Sequence, residues 1–237
     1  MDKPTPSGRP LREIFGEIAG SYERVNRVLT LGLDRGWRSR AARLAAGGGG
    51  TRWLDVCSGT GEMAQDLARR APEGTELVAV DFSLPMLARA RAKPGLERAG
   101  FVLADVKRLP FPDAAFDLVT ISFATRNINL SREILESTFR EFRRVLRPGG
   151  RFVNLETSQP AVRVIRALFR GYVGLVVRRV GLRMSGAQAG YAYLASSIRG
   201  FYGAGELADI LRAAGFYDVS FERLMFGAAA VHVSKKA

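Results

Sequence analysis

The sequence is poor in the residues that build covalent cross-links and metal sites. Its 237 residues include one cysteine, Cys57, and one histidine, His232. A single cysteine excludes an internal disulfide and a cluster of metal thiolates. A single histidine argues against a histidine-based metal centre and against a Ser/His/Asp triad. We therefore predict that the protein holds no metal.

Long apolar runs are also missing. No stretch of about 18 uninterrupted apolar residues occurs, so we expect no transmembrane helix. Residues 1–15 lack the apolar core of a signal peptide. With 47% hydrophobic and 25% charged residues, the composition is that of an ordinary globular protein and excludes a disordered chain. The expected location is the cytoplasm.

Acidic residues are scarce relative to basic ones. The chain has 36 Lys and Arg against 23 Asp and Glu, a net charge of +13, and nearly all of the excess is arginine. Such a chain tends to bind nucleic acid, anionic lipid or acidic ligands. Codon usage that favours arginine produces the same excess, so the charge alone does not choose a partner.

The order of predicted elements indicates an α/β fold. An apolar pattern at three- and four-residue steps predicts helix from Leu11 to Ala46, which gives an N-terminal helical cap over 1–50. From residue 51 to 237, strands and helices alternate as in a Rossmann-like sheet, with a helical insertion at about 161–200. We predict seven strands, mostly parallel with one antiparallel edge strand, at 52–57, 76–81, 101–104, 116–123, 151–155, 218–224 and 228–234.

A glycine loop follows the first strand. Asp55 lies near the end of that strand, and Gly59, Thr60 and Gly61 lead directly into a helix. Glycines at this place let the backbone turn tightly and let a ligand approach. The spacing fits a dinucleotide site as well as an S-adenosylmethionine site. Asp81, at the end of the next strand, can accept hydrogen bonds from two ribose hydroxyls in either case.

Asp55 favours S-adenosylmethionine over a dinucleotide. A carboxylate beside the helix N-terminus would repel a pyrophosphate, whereas it suits a sulfonium and an ammonium group. Asp105 and Val106, after the third strand, are candidates for contact with the adenine base. Ser122, at the end of the fourth strand, is a candidate for contact with the amino-acid part. A turn or a strand terminus would equally explain Asp105 and Ser122.

The sequence resembles the ubiquinone/menaquinone C-methyltransferases, a family of class I methyltransferases, from about Phe15 to Lys235. Three segments carry this resemblance: Phe15 with Ala19-x-x-Tyr22-x-x-Val25-Asn26, Thr120-Ile121-Ser122-Phe123-x-x-Arg126-Asn127, and Tyr191-x-Tyr193-Leu194-x-x-Ser197-Ile198. It implies methyl transfer from S-adenosylmethionine to a ring carbon of a polyprenyl quinol such as demethylmenaquinol. It also implies that Thr60, Asp81, Asp105, Val106 and Ser122 contact the cofactor.

Carbon methylation of a quinol needs an electron-rich ring, which a phenolate provides. Arg126 is the candidate for stabilising that phenolate, because a nearby guanidinium lowers the pKa of a phenol. A salt bridge that closes the loop after the fourth strand is the alternative role of Arg126. Tyr22 and Tyr191 are candidates for lining the ring pocket, although plain packing would also explain them.

The segment 161–178 predicts a basic amphipathic helix. Arg163, Arg166, Arg170 and Arg178 fall on one side of a helical wheel, opposite an apolar side. Such helices bind anionic membrane surfaces, where a polyprenyl quinol is found. A lid helix with its apolar side in the core is the alternative. The membrane interpretation makes the protein peripheral on the inner face of the membrane.

Three other functions are alternatives. The charge of +13 suggests an RNA methyltransferase, but no Asn/Asp-Pro-Pro-aromatic motif follows the fourth strand, so no nucleic-acid partner is expected. Methylation of another small lipophilic molecule stays open. A protein that binds the cofactor without catalysis stays open too. The sequence does not decide between a monomer and a homodimer.

Overall fold

A computed structural model describes residues 22–177 and 195–237 of the chain. One sheet of seven strands forms its centre, in the spatial order β3-β2-β1-β4-β5-β7-β6. The strands in chain order are β1 Arg52–Val56, β2 Glu76–Asp81, β3 Gly100–Leu103, β4 Phe116–Ser122, β5 Leu146–Thr157, β6 Tyr217–Leu224 and β7 Ala229–Lys235. This architecture confirms the predicted α/β fold class.

Helices cover both faces of the sheet. In chain order they are α1 Tyr22–Leu29, α2 Leu33–Ala46, α3 Glu62–Ala68, α4 Leu84–Arg91, α5 Thr125–Ile128, α6 Arg132–Val145, α7 Arg163–Tyr172 and α8 Ala204–Ala213. Buried side chains of α6 and α8 form a core with one face of the sheet. Buried side chains of α2 and α3 form a second core with the other face. Burial on both faces explains why the central strands are nearly continuous apolar runs.

The single antiparallel strand is β7. It pairs with β5 on one side and with β6 on the other, antiparallel in both cases. The predicted hairpin of the last two strands is therefore present, and β7 lies one position inside the edge that β6 forms. A hairpin is the connection expected here, because four residues separate the strands and a parallel crossover needs a dozen or more.

The predicted helix over 11–46 is wrong around residue 31. Helix α1 ends at Leu29, and α2 begins at Leu33. Between them Leu31 (φ 54°) and Gly32 (φ 77°) adopt left-handed backbone, which a helix cannot contain. Gly32 could have indicated this turn in the sequence, because glycine adopts left-handed backbone readily. The part of the prediction before Tyr22 lies outside the described residues.

Helix α6 matches its prediction closely. Ser131 caps it, with Oγ accepting a hydrogen bond from the backbone N–H of Ile134 at 3.3 Å. The helix ends at Val145, just before the Arg147–Gly150 segment. The next strand, β5, is longer than predicted and runs from Leu146 to Thr157.

The helical insertion is present in its described part. Helix α7 continues into a π-helical turn at Val173–Val177. Residues 178–194 of the insertion lie outside the described residues. Within 22–177 and 195–237, no helix is both long and apolar enough to cross a membrane.

The strand order places the functional site. From the centre of the sheet, β1, β2 and β3 follow one another toward one edge, whereas β4 and the later strands lie toward the other edge. The carboxyl ends of β1 and β4 therefore flank a crevice, which is where doubly wound sheets bind ligands.

Candidate functional site

A cavity of about 420 Å³ lies at the carboxyl ends of β1, β2 and β4. We call it the glycine-loop cavity. The predicted cofactor residues that line it are Asp55, Gly59, Thr60, Asp81, Asp105, Val106 and Ser122. Its volume falls in the range of small-molecule sites. The structure thus brings together residues that are up to 67 positions apart in the sequence.

The two glycines of the loop have different roles. Gly59 (φ 55°) has no atom within 4 Å of an added Cβ, so its backbone faces open space in the cavity. Gly61 (φ 81°) does not line the cavity. A Cβ on Gly61 would lie 2.8 Å from the Cβ of Ala90, so this glycine lets α3 pack against α4. The preceding Cys57 also has left-handed backbone (φ 51°), and its side chain lines the cavity.

Asp81 ties β2 to the glycine loop. Its Oδ2 accepts a hydrogen bond from the N–H of Gly59 at 2.8 Å, and its Oδ1 accepts one from the N–H of Ser83 at 2.9 Å. Burial raises the pKa of Asp81 above its ordinary value, although these amides oppose the rise. Each carboxylate oxygen has a second lone pair. Asp81 can therefore hold the loop and still accept hydroxyl groups of a ligand.

Asp55 lies in the floor of the cavity. The side chain is fully buried, and its Oδ1 accepts a hydrogen bond from Thr120 Oγ1 at 2.7 Å. Burial, with repulsion from Asp81, raises the pKa of Asp55 to about 7 despite that hydrogen bond. A cation bound nearby would favour the ionised form of Asp55. A phosphate would disfavour it.

The remaining polar groups fit a cationic nucleoside such as S-adenosylmethionine. Four carboxylates, those of Asp55, Glu62, Asp81 and Asp105, line this cavity in a chain of net charge +13. Within the described residues, the buried Ser58 and Ser122 hydroxyls lack a hydrogen-bond partner. Buried hydroxyls of this kind are usually satisfied by a ligand or by water. A pyrophosphate would meet the carboxylates instead, so the donor set disfavours a dinucleotide.

A second cavity, of about 380 Å³, adjoins the first. We call it the apolar cavity, because hydrocarbon side chains form most of its wall. Helix α7 lies across it and contributes Ile165, Leu168, Phe169 and Tyr172. The apolar side predicted for this helix therefore lines a cavity. Since no residue of α7 is buried, this side is not part of the core, where the lid alternative had placed it.

The two cavities meet at three shared residues, Asn26, Arg38 and Phe123. Phe123 (φ 55°) follows β4, and its ring lies 5.9 Å from the guanidinium carbon of Arg38. Arg38 is buried and pairs with Asp34, one turn earlier in α2, and with Glu62 at 3.1 Å. Asp34 lines the apolar cavity and Glu62 lines the glycine-loop cavity.

The Asp34–Arg38–Glu62 group was missed in the sequence. Two of its members were visible as an i, i+4 pair of opposite charge in a helix, a pattern that usually marks an exposed face. Its burial follows from the packing of α2 on α3, which the sequence pattern does not reveal. The group places charge where the two cavities join.

Arg126 forms the predicted loop-closing salt bridge. Its Nη1 donates to Glu156 Oε1 at 2.6 Å and to the carbonyl oxygen of Phe123 at 2.8 Å. The exposed side-chain fractions of Arg126 and Glu156 are 4% and 1%. Arg126 also lines the apolar cavity, so its charge lies beside whatever binds there.

Some predicted site residues lie outside the described part of the structure. Tyr191 belongs to 178–194, and the side chain of Tyr22 is not described, so their roles in the ring pocket stay predictions. His232 is described and lines neither cavity. Its Nε2 lies 2.8 Å from the carbonyl oxygen of Ala204, and burial lowers its pKa to about 4, which indicates a neutral structural histidine.

Comparison with known proteins decides the family. The family model described as "ubiE/COQ5 methyltransferase family" matches residues 5–236. The chain belongs to this family. As a member it is a methyltransferase with S-adenosylmethionine as its cofactor, which confirms the cofactor prediction.

Relatives match over nearly the full chain. A demethylmenaquinone methyltransferase of Deinococcus radiodurans is 42% identical over 97% of this chain and 93% of its own length. Another of the same name, from Thermus thermophilus, is 43% identical over 94% of this chain and 100% of its own length. A ubiquinone/menaquinone biosynthesis C-methyltransferase of Geobacter sulfurreducens is 36% identical over 100% of this chain and 92% of its own length.

Solved structures support the fold. A possible histamine N-methyltransferase of Thermotoga maritima superposes with a TM-score of 0.65 at 18% identity, over 95% of this chain and 99% of the other. At this identity the likeness concerns the fold alone.

Proposed function

We propose that the protein methylates a ring carbon of a demethylmenaquinol-type polyprenyl quinol. The observation that carries the proposal is the pair of adjoining cavities: one lined by several carboxylates, the other mostly apolar, meeting at Phe123. The apolar cavity suits an aromatic ring and the first part of a prenyl tail. Relatives named demethylmenaquinone methyltransferase support this choice of substrate.

Bound S-adenosylmethionine would supply an electrophilic methyl group. Asp81 would hold the ribose hydroxyls, Asp105 and Val106 the adenine, and Ser58 and Ser122 the amino-acid part. The carboxylate of Asp55, in the floor of the cavity, would stabilise the positive charge of the cofactor. These roles follow from the side chains that line the glycine-loop cavity.

Arg126 would stabilise the substrate as a phenolate. A positive charge at the wall of the apolar cavity favours ionisation of a phenol and so enriches the ring carbon with electrons. Glu156 is fully buried and ion-paired with Arg126, so it weakens the field that a substrate experiences. The effect is therefore smaller than that of an unpaired arginine, and it lies in stabilising the phenolate, whose negative charge on the ring is greatest before the methyl group is transferred.

Tyr22 and Tyr191 would complete the wall around the ring. Light scattering tests whether the protein forms a homodimer. A substrate with a polyprenyl tail is found in the bilayer, so the enzyme would work at the inner membrane surface. Arg166 and Arg170 fasten the start of the insertion: Arg166 Nε donates to the carbonyl of Pro160 at 2.7 Å, and Arg170 Nε donates to Gln159 Oε1 at 3.2 Å.

The proposal is tested by comparing acceptors. The purified protein is incubated with methyl-labelled S-adenosylmethionine and, in parallel, with a short-tailed demethylmenaquinol, a catechol and total RNA. Labelling of the quinol alone supports the proposal. If the catechol is labelled and the quinol is not, the substrate is another lipophilic molecule. Labelling of RNA would contradict the proposal outright.

A further inference from the structure

Exposed apolar side chains surround the mouth of the apolar cavity. Leu31, Leu168 and Phe226 are exposed by 78%, 71% and 74%, and each also lines the cavity. They come from three separate segments: the turn between α1 and α2, helix α7, and the turn between β6 and β7. Met225, beside Phe226, shares both properties. We call these four residues the rim.

Two of these segments hold large apolar side chains in an unfavourable backbone conformation. Leu31 (φ 54°), Met225 (φ 45°) and Phe226 (φ 55°) all adopt left-handed backbone. Glycine and asparagine are preferred there, and bulky residues are disfavoured. An exposed leucine or phenylalanine at such a position gains little burial among residues 22–177 and 195–237. The side chains therefore point to a contact that lies outside these described residues.

Helix α7, which carries Leu168 of the rim, is basic and contains no acidic residue. Between Glu156 and Glu206 the sequence contains seven arginines and no acidic residue. Helix α7 carries three of them: Arg163, Arg166 and Arg170. Arg166 and Arg170 bond back to residues 159–161, so they fasten the helix beside the mouth while keeping their charge near its surface. Asp34, the acidic residue of the cavity wall, is neutralised by Arg38.

We propose that the rim inserts into the interface of an anionic lipid bilayer and opens the apolar cavity toward the acyl chains. This inference rests on the proposed function, because a polyprenyl tail would then pass from the bilayer into the cavity without crossing water. Apolar tips supply the insertion, and the arginines supply attraction to anionic headgroups. The contact is made by hydrocarbon side chains more than by the arginine side of α7.

The test measures vesicle binding without substrate, so that it is independent of methyl transfer. Leu31→Asn and Phe226→Asn remove the apolar tips, and asparagine suits the left-handed backbone, so both variants should fold. Tyr217→Asn is the matched control. It removes an exposed aromatic ring at the other end of β6, about 23 Å along the strand. Thermal unfolding checks that all variants stay folded.

Wild type is expected to co-float with vesicles of phosphatidylcholine and phosphatidylglycerol. The Leu31→Asn/Phe226→Asn double variant should bind at least about tenfold more weakly, since two apolar side chains no longer leave water. Tyr217→Asn should bind like wild type. Raising the salt concentration should remove the additional affinity that phosphatidylglycerol provides, because salt screens charges. The affinity that comes from the apolar side chains should remain.

Equal vesicle binding by wild type and the double variant would overturn the inference, and so would a wild type that binds no vesicles. If the double variant instead turns a dimeric wild type into a monomer with vesicle binding unchanged, the rim is a self-association surface and the inference is also overturned. If wild type binds vesicles through the rim but methylates no quinol, the proposed function fails and the membrane contact stands.

Discussion

Arg126 and Glu156 form an ion pair of 2.6 Å that is almost fully buried in the wall of the apolar cavity. Glu156 Oε1 also accepts hydrogen bonds from the N–H and the hydroxyl of Thr157, at 2.7 and 3.0 Å. These donors hold the Glu156 side chain in one orientation. The pair joins the end of β5 to the loop after β4, so it shapes the place where the two cavities meet.

Removal of one partner of this pair should destabilise the protein strongly. Glu156→Ala leaves the guanidinium of Arg126 buried without its counter-charge, which costs about 3–5 kcal/mol. The double variant Arg126→Gln/Glu156→Gln removes both charges and should lose much less. Urea unfolding of the three proteins measures the difference. A Glu156→Ala variant as stable as wild type would show that the pair contributes little to stability.

The same double variant tests Arg126 in catalysis. If the guanidinium stabilises a phenolate, kcat should fall more than cofactor affinity changes. The loss should shrink as pH rises, because hydroxide then ionises the phenol. Arg126→Lys with Glu156 intact keeps the charge but loses the planar fork, and should recover part of the rate. If the reduction in kcat relative to wild type is the same from pH 7 to pH 10, the role of Arg126 is structural only.

Asp81 should matter for cofactor binding. A carboxylate that accepts ribose hydroxyls contributes about 1.5–3 kcal/mol per charge-assisted bond, so Asp81→Ala should weaken S-adenosylmethionine binding more than tenfold. Asp113→Ala is the control, since it removes an exposed carboxylate that pairs with Arg144. Calorimetric titration gives both affinities. Unchanged affinity in Asp81→Ala would remove this residue from the cofactor site.

Asp55 should make the stability of the cofactor-free protein fall as pH rises. Its folded pKa of about 7 lies above the ordinary value of 3.8, so the folded state binds the proton more tightly than the unfolded state does. Its contribution is therefore present at low pH and is lost as pH rises to about 7. We expect wild type to lose about 3 kcal/mol relative to Asp55→Asn between pH 5 and pH 8.

Urea unfolding of wild type and Asp55→Asn at the two pH values checks this expectation. A stability difference that stays constant with pH would show that the pKa of Asp55 in the folded protein does not lie between pH 5 and pH 8. Cofactor binding gives a second readout. Because a cation favours the ionised carboxylate, binding near pH 6 should release a proton, which calorimetry in two buffers detects.

The sequence could predict that most of the proposed cofactor residues share one cavity, because their placement depends on local pattern. Asp55, Gly59 and Asp81 occupy the ends of adjacent parallel strands, and the ends of such strands meet by topology alone. The apolar side was predicted less completely. The partner of Arg126 is Glu156, 30 residues away, and their pairing depends on the register of β4 with β5.

The charged group at the junction of the cavities could not be predicted for a similar reason. Arg38 and Glu62 belong to two helices whose packing brings them to 3.1 Å, and neither helix shows this in its own sequence. The outward-facing rim was also missed. The amphipathic pattern of α7 indicated two sides but not that Leu168, on the apolar side, stays exposed at the cavity mouth.

The central claim is carbon methylation of a quinol, and the product reports on it most directly. Reduced demethylmenaquinone is incubated with the protein and S-adenosylmethionine that carries a ¹³C-methyl group, and the product is examined by mass spectrometry and NMR. The account predicts one added methyl group with the chemical shift of a methyl on an aromatic ring. A methoxy signal, or an unlabelled quinol with the protein folded and the cofactor bound, would contradict it.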